Sequence, residues 1–158
     1  MTPAIEELEA LGCQFTLHLY TSSSSNGYGI NAAEKLALDP DQVFKTLVIE
    51  MEGQMEGQEA AIALVPVSNQ LNLKRLAKCA GAKRAKLMAG DKAEKLTGYV
   101  IGGICPIGLK RPLSIYADSS ITRFSNIFIS GGKRGLELEM GSEDLISMTN
   151  ATISAIAD

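Results

Sequence analysis

Of all the side chains in this 158-residue sequence, Lys45 keeps the least expected company. It lies in Val43-Phe44-Lys45-Thr46-Leu47-Val48-Ile49, which reads as a β-strand. A two-residue period puts Lys45 on one face with Val43, Leu47 and Ile49, and Phe44, Thr46, Val48 and Glu50 on the other. An ammonium among aliphatic side chains loses hydration and needs an anion or carbonyl acceptors in return. A cleft that receives a phosphate or an ester carbonyl would supply them; the alternative is a lysine near the strand end whose head extends to water. Two glycine-rich stretches offer complementary chemistry. Thr97-Gly98-Tyr99-Val100-Ile101-Gly102-Gly103-Ile104-Cys105-Pro106-Ile107-Gly108 can turn sharply and present backbone N–H groups to an anion or a developing oxyanion. It matches no nucleotide-binding fingerprint, so a tight turn is the competing reading. Ser130-Gly131-Gly132-Lys133-Arg134-Gly135 adds two basic residues suited to phosphate, against an ordinary hairpin turn.

Enzymatic nucleophiles are scarce. His18 is the single histidine, and no motif places a serine beside it, so it reads as a partly exposed strand residue before a general base. Cys105 lies in the first glycine loop without a histidine motif and reads as a small filler; Cys13 and Cys79 adjoin apolar helix positions and read as core. Three cysteines at wide spacings exclude a disulfide framework, and with one histidine they offer no zinc set. No metal and no cofactor is expected. A reducing, cytoplasmic setting follows from the same cysteine usage.

The elements that must position these groups emerge from the patterning. Thr2 and Pro3 open a helix as N-cap and first-turn proline, running to about Leu11 with Gly12 as its stop. This acidic start enters a helix directly, so no signal peptide is expected. Phe15–Tyr20 alternates as a strand, with Phe15, Leu17 and Leu19 on its apolar face. Ser22–Ser25 and Asn26-Gly27-Tyr28-Gly29 form a flexible loop, and Asn31-Ala32-Ala33-Glu34 has the form of a capping box opening a helix to about Leu38. Strands over Phe44–Met51 and Glu59–Pro66 flank a tandem Met-Glu-Gly-Gln, read as an exposed hairpin connection. Asn72 caps a basic helix through Cys79, with Gly81 ending it. A short strand near Ala85–Leu87, a helix from Asp91 to about Leu96, and strands near Tyr99–Gly102 and Leu113–Ala117 follow. Ile127–Ser130 and Leu136–Met140 pair next, then a helix capped by Ser142 runs to about Met148 and Ala151–Ile156 forms a terminal strand. Helices and strands intersperse without regular βαβ alternation, which predicts one mixed-sheet α+β (mixed α/β) domain over residues 1–158.

Charge is unevenly spread. Residues 1–73 carry two basic against ten acidic residues, whereas residues 74–134 carry thirteen basic against three acidic, within a net of −3. A basic segment inside an acidic protein suits contact with phosphates; solvated helix faces are the alternative. No apolar run reaches the roughly 18 residues of a membrane span, so no membrane partner is expected.

Taken together, three ordered segments resemble the YbaK/EbsC family of bacterial Cys-tRNA(Pro) deacylases, relatives of the editing domain inserted in bacterial prolyl-tRNA synthetases. They are Phe44-Lys45-Thr46-Leu47, Thr97-Gly98-Tyr99 through Gly102 to Gly108, and Ser130 to Gly135. Met1-Thr2-Pro3-Ala4, Ala32–Leu36 and Leu71–Lys74 also look familial. The resemblance implies a single compact domain with a strongly curved mixed sheet flanked by helices, and a pocket for the 3′ aminoacyl-adenosine of tRNA. It implies Lys45 as the residue that positions the terminal nucleotide and carbonyl, and Gly102 and Pro106 as the glycine–proline loop whose backbone contacts substrate. Tyr20, Tyr28, Thr46 and Ser130 would line the pocket, with Gly103 and Gly131 adding backbone contacts. It further implies that a cysteine substrate's own thiol attacks its ester carbonyl, which would account for the missing nucleophile. The implied partners are aminoacyl-tRNA, specifically tRNA(Pro), and prolyl-tRNA synthetase as a helper in tRNA selection. Cys105, Tyr28 and Ile30-Asn31 depart from the family pattern, leaving open alanine or serine in place of cysteine, or a non-catalytic tRNA- or synthetase-binding adaptor.

Overall fold

The first helix begins as its sequence dictates. Thr2 is extended and its hydroxyl accepts the Ile5 N–H at 3.3 Å, so α1 (Pro3–Ala10) starts with a satisfied cap. The structure, a computed structural model, describes residues 1–22 and 28–158. Strand β1 (Phe15–Leu19) follows, then α2 (Tyr28–Lys35), the hairpin β2 (Phe44–Glu52) and β3 (Ala60–Pro66), and α3 (Leu73–Ala80). β4 (Arg84–Leu87), α4 (Gly90–Thr97) and β5 (Ser114–Asp118) come next, then β6 (Asn126–Ser130), β7 (Leu136–Gly141), α5 (Ser142–Thr149) and β8 (Thr152–Ser154).

The strands form two ladders. One is antiparallel in the order β1-β7-β6; the other is mixed, in the order β4-β2-β3-β5-β8, with β3–β5 and β5–β8 parallel. They meet at an isolated bridge between Val43 and Phe128, where the Phe128 N–H donates to the Gln42 carbonyl at 3.1 Å. The single curved sheet expected from the sequence is thus a pair of ladders joined at one point. A core between them combines Phe44, Val48, Ile62 and Leu64 with Ile127, Ile129, Leu138 and Met140, and takes Leu8 from α1. Each such side chain contributes about 1.5–3 kcal/mol by leaving water. A second cluster (Ile49, Ala61, Ala63, Val65 and Leu76) seats α3 on the other face of the five-stranded sheet.

One detail of pairing creates the site. β3 runs along β2 from Phe44 to Glu50, but β4 joins the other edge only from Ile49 to Glu52. Beside Phe44–Val48 that edge has no strand partner among the described residues, and takes only the Met88 N–H, donated to the Val48 carbonyl at 2.9 Å. The gap opens toward the three-stranded ladder.

Several expectations need correction. Of the loop read over Ser22–Gly29, residues 23–27 lie outside the described residues, while Tyr28 and Gly29 already belong to α2, so Asn31 lies inside the helix and not ahead of its first turn. That helix ends at Lys35, short of Leu38. Tyr99–Gly102 is no strand: Gly102 has φ +87° and the Tyr99 hydroxyl donates to the Ile107 carbonyl at 2.6 Å, which folds the segment into a compact turn. Gly141, not Ser142, stands at the N-cap of α5, and the Ser142 hydroxyl donates to the Phe124 carbonyl. A 3₁₀ turn over Ser119–Arg123 went unread. Leu17 and Leu19 occupy the core-facing side of β1, yet because β1 is an edge strand they overhang the core at 39% and 75% exposure.

Candidate active site

A cavity of about 340 Å³ occupies the gap beside β2. Residues 44–48 line it from both strand faces, because an unpaired edge can be reached from either side. Tyr20, Tyr28, Gly102, Ser130 and Glu137 complete its polar wall, with Ile30, Leu87 and Ile101 as exposed apolar residues that also line it. Of the residues singled out in the sequence, Lys45, Thr46, Tyr20, Tyr28, Gly102 and Ser130 therefore share one hollow. Gly103, Pro106 and Gly131 are buried and do not line it. They act one layer below. The Gly131 carbonyl accepts the Thr2 hydroxyl at 2.6 Å, and a Cβ on Gly103 would meet the Lys133 backbone at 2.7 Å, so the two glycine loops pack backbone against backbone.

The electrostatics of the cavity are those of groups waiting for a partner. Lys45 is half-buried, and burial pulls its ammonium below the ordinary lysine range; it makes no ion pair or hydrogen bond with any described residue. The Thr46 hydroxyl is buried and finds no hydrogen-bond partner among the described residues. The Ser130 hydroxyl accepts the Gly132 N–H at 3.2 Å. Burial, and after it the charge of Glu137, push the Tyr20 phenol up.

Glu137 was missed in the sequence. Only 4% exposed, it faces Ser130 across the β6–β7 ladder, and burial raises its carboxyl to about 8. Leu136-Glu137-Leu138-Glu139-Met140 reads as ordinary in–out alternation, and nothing in it distinguishes Glu137 from the partly exposed Glu139. His18 belongs to that outer position: its Nε2 lies 2.9 Å from Glu139 Oε1, its ring packs on Phe128, and it does not line the cavity. Cys105 is fully buried outside the cavity wall, and burial pushes its thiol up to about 12, which suits a packing residue and not a nucleophile. Among the described residues no three His, Cys, Asp or Glu side chains gather as a metal set would require.

A larger cleft of about 690 Å³ runs along β4, where most charges are paired: Glu50 with Lys92 at 2.7 Å and Lys86 at 3.5 Å, and Glu52 with Arg84 at 3.9 Å. The smaller cavity brings together a half-buried ammonium, a buried hydroxyl and a glycine turn, which makes it the candidate site. A cation and an amide-bearing turn, with no activated nucleophile among the described lining residues, suit stabilisation of charge on a carbonyl.

Known proteins bear on this arrangement. The family model for the aminoacyl-tRNA editing domain matches residues 27–148. EbsC of Enterococcus faecalis, named as a candidate Cys-tRNA(Pro)/Cys-tRNA(Cys) deacylase, is 35% identical over 126 residues, 80% of this chain and 74% of its own. The Ser/Thr-tRNA deacylase ProXp-y of Escherichia coli is 32% identical over 89 residues, 56% of this chain and 53% of its own. The crystal structure of a candidate trans-editing enzyme for prolyl tRNA synthetase superposes with a TM-score of 0.82 at 21% identity, covering 100% of this chain and 98% of that one. With more than half of its length matched by the family model, the chain belongs to the aminoacyl-tRNA editing family and is, like its named relatives, an aminoacyl-tRNA hydrolase.

Proposed function

We propose that this protein, acting in trans as one unit over residues 1–158, removes cysteine from mischarged Cys-tRNA(Pro). One observation carries the reading: Lys45 and Gly102 line the same cavity, and among the described residues its wall offers no activated nucleophile. The Lys45 ammonium takes the terminal nucleotide and steers the ester carbonyl. The Gly102 amide receives the negative charge that develops on the carbonyl oxygen. Tyr20, Tyr28, Thr46 and Ser130 frame the aminoacyl group. The substrate thiol gives up its proton and attacks the ester carbon; the C–O bond to the ribose breaks, the 3′ oxygen takes a proton, and a thiolactone leaves for water to open. The protein then supplies orientation and charge stabilisation, which together account for several powers of ten in rate. Substrate tRNA places the activity in the cytoplasm, with prolyl-tRNA synthetase helping to select tRNA(Pro), since a chain of this size reads little of the tRNA body.

A second reading, a hydroxyl-bearing amino acid as substrate, draws on the unpartnered Thr46 hydroxyl and on the Ser/Thr-tRNA relative in Escherichia coli. Hydrolysis of Cys-, Ser-, Thr- and Ala-tRNA by the purified protein separates the two. Cysteine release that is lost in Lys45→Ala supports the first reading. Equal hydrolysis of Ser-tRNA, which has no thiol, refutes thiol assistance. RNA binding with every ester at background turnover refutes both and leaves an adaptor.

A further inference from the structure

The first glycine turn is held from outside the cavity, and the residue that holds it belongs to the second glycine loop. Arg134 Nε donates to the Ile101 carbonyl at 2.8 Å, and its guanidinium lies 4.9 Å from the centre of the Tyr28 ring. Tyr28 in turn presses on Gly102, where a Cβ would come within 2.7–2.8 Å of the ring carbons. On the other side, Glu94 Oε2 accepts the Ile101 N–H at 2.7 Å. Ile101 is therefore gripped at both its N–H and its C=O, by α4 and by the 130–135 loop.

The consequence concerns the next amide. The Ile101 carbonyl and the Gly102 N–H belong to one planar trans peptide, so they point in opposite directions and rotate as a unit. Fixing the carbonyl on Arg134 fixes the direction of the Gly102 N–H. That N–H donates to no acceptor among the described residues, and Gly102 lines the cavity. A glycine with φ +87° would otherwise have ample freedom to swing this peptide. Resting on the deacylase reading above, we propose that Arg134 is a positioning residue: it locks the Ile101–Gly102 peptide and the Tyr28 ring so that the Gly102 amide is aimed at the substrate carbonyl oxygen before substrate arrives. A guanidinium suits this task because its planar fork can donate in line while its face stacks on an aromatic ring, which an ammonium cannot do at once.

Removal of a whole oxyanion donor costs about 10²–10³ in kcat. Arg134→Ala leaves the donor present but unaimed, so kcat should fall roughly 30–100-fold, with KM for the aminoacyl-tRNA within about threefold of wild type. Arg134 is exposed, so its removal leaves the core untouched. Methylguanidinium should restore part of the rate to Arg134→Ala, whereas Arg134→Lys should stay impaired despite its charge. The competing role, a phosphate contact, predicts the opposite split: a raised, salt-sensitive KM, unchanged kcat, and good function in Arg134→Lys; that result, or wild-type kinetics in Arg134→Ala, overturns the proposal. The Gly102 backbone amide resonance provides a readout independent of turnover and should shift and broaden in Arg134→Ala. If the wild-type protein hydrolyses none of the tested esters, the deacylase reading fails, and an unmoved Gly102 resonance would separately sink the positioning role.

Discussion

Replacing Glu137 with glutamine should make the protein more stable at alkaline pH and leave it nearly unchanged at acidic pH. The carboxyl is 4% exposed and burial lifts it from 4.5 to about 8, so the folded state holds a proton that the unfolded chain releases. Folding is unpenalised below about pH 4.5, and stability drains away as pH climbs toward 8, where the buried carboxylate must ionise. At 1.36 kcal/mol per tenfold change, the full penalty approaches ~5 kcal/mol, an upper bound because an ionised group draws in water. Glutamine keeps the shape and removes the titration. Lys45 contributes the opposite slope at higher pH: burial disfavours its charged form, so stability is recovered as it deprotonates. The difference between variant and wild type cancels that contribution. Urea unfolding at pH 5.5 and pH 9 should show curves separated by ~1.4 kcal/mol at the lower value and by ~3–5 kcal/mol at the higher, the latter equivalent to roughly 10–20 °C in Tm for a chain of this length. A constant gap between the two proteins across that range would mean Glu137 is ionised throughout, and the account of a neutral acid on the cavity wall would be wrong.

Gly102→Ala should cost ~1–2 kcal/mol of stability and at least about a hundredfold in deacylation, since the new methyl meets the Tyr28 ring at 2.7 Å and φ +87° disfavours any side chain; unfolding curves and initial rates measure the two effects. A thiol reagent under native conditions should modify Cys13 and Cys79 but reach Cys105 only after unfolding, and Cys105→Ser should retain deacylation. Thr2→Val should lower stability by ~1–2 kcal/mol in thermal melts, because one hydroxyl both accepts the Ile5 N–H and donates to the Gly131 carbonyl.

What the sequence made legible follows the range of the forces involved. The caps of α1 and α3 are local: Thr2 and Asn72 each accept an N–H three residues on, and Gly81 ends its helix at φ +70°. The β2–β3 and β6–β7 hairpins come from strand-like apolar runs on either side of glycine-bearing connections, both local signals. Lys45 stood out because its strand neighbours are aliphatic. Glu137 did not, because its burial is set by tertiary packing between strands that lie far apart in sequence. The segment Tyr99–Gly102 misled because apolar residues between glycines imitate a strand, whereas its shape is decided by a hydrogen bond from Tyr99 to Ile107. Arg134 was visible as a basic loop residue, but its stacking on Tyr28 joins positions 106 residues apart, which no local pattern encodes.

The bond from the Thr2 hydroxyl to the Gly131 carbonyl ties the outset of the chain to the loop that carries Arg134. Fraying of the first helical turn and loosening of that loop are thereby one local opening event, with amide exchange at Ile5 and around Gly131 rising and falling together. A strain or fusion that unwinds the leading helix would be felt at the Gly102 turn, more than ninety residues downstream, and on the proposed mechanism would read as slower deacylation.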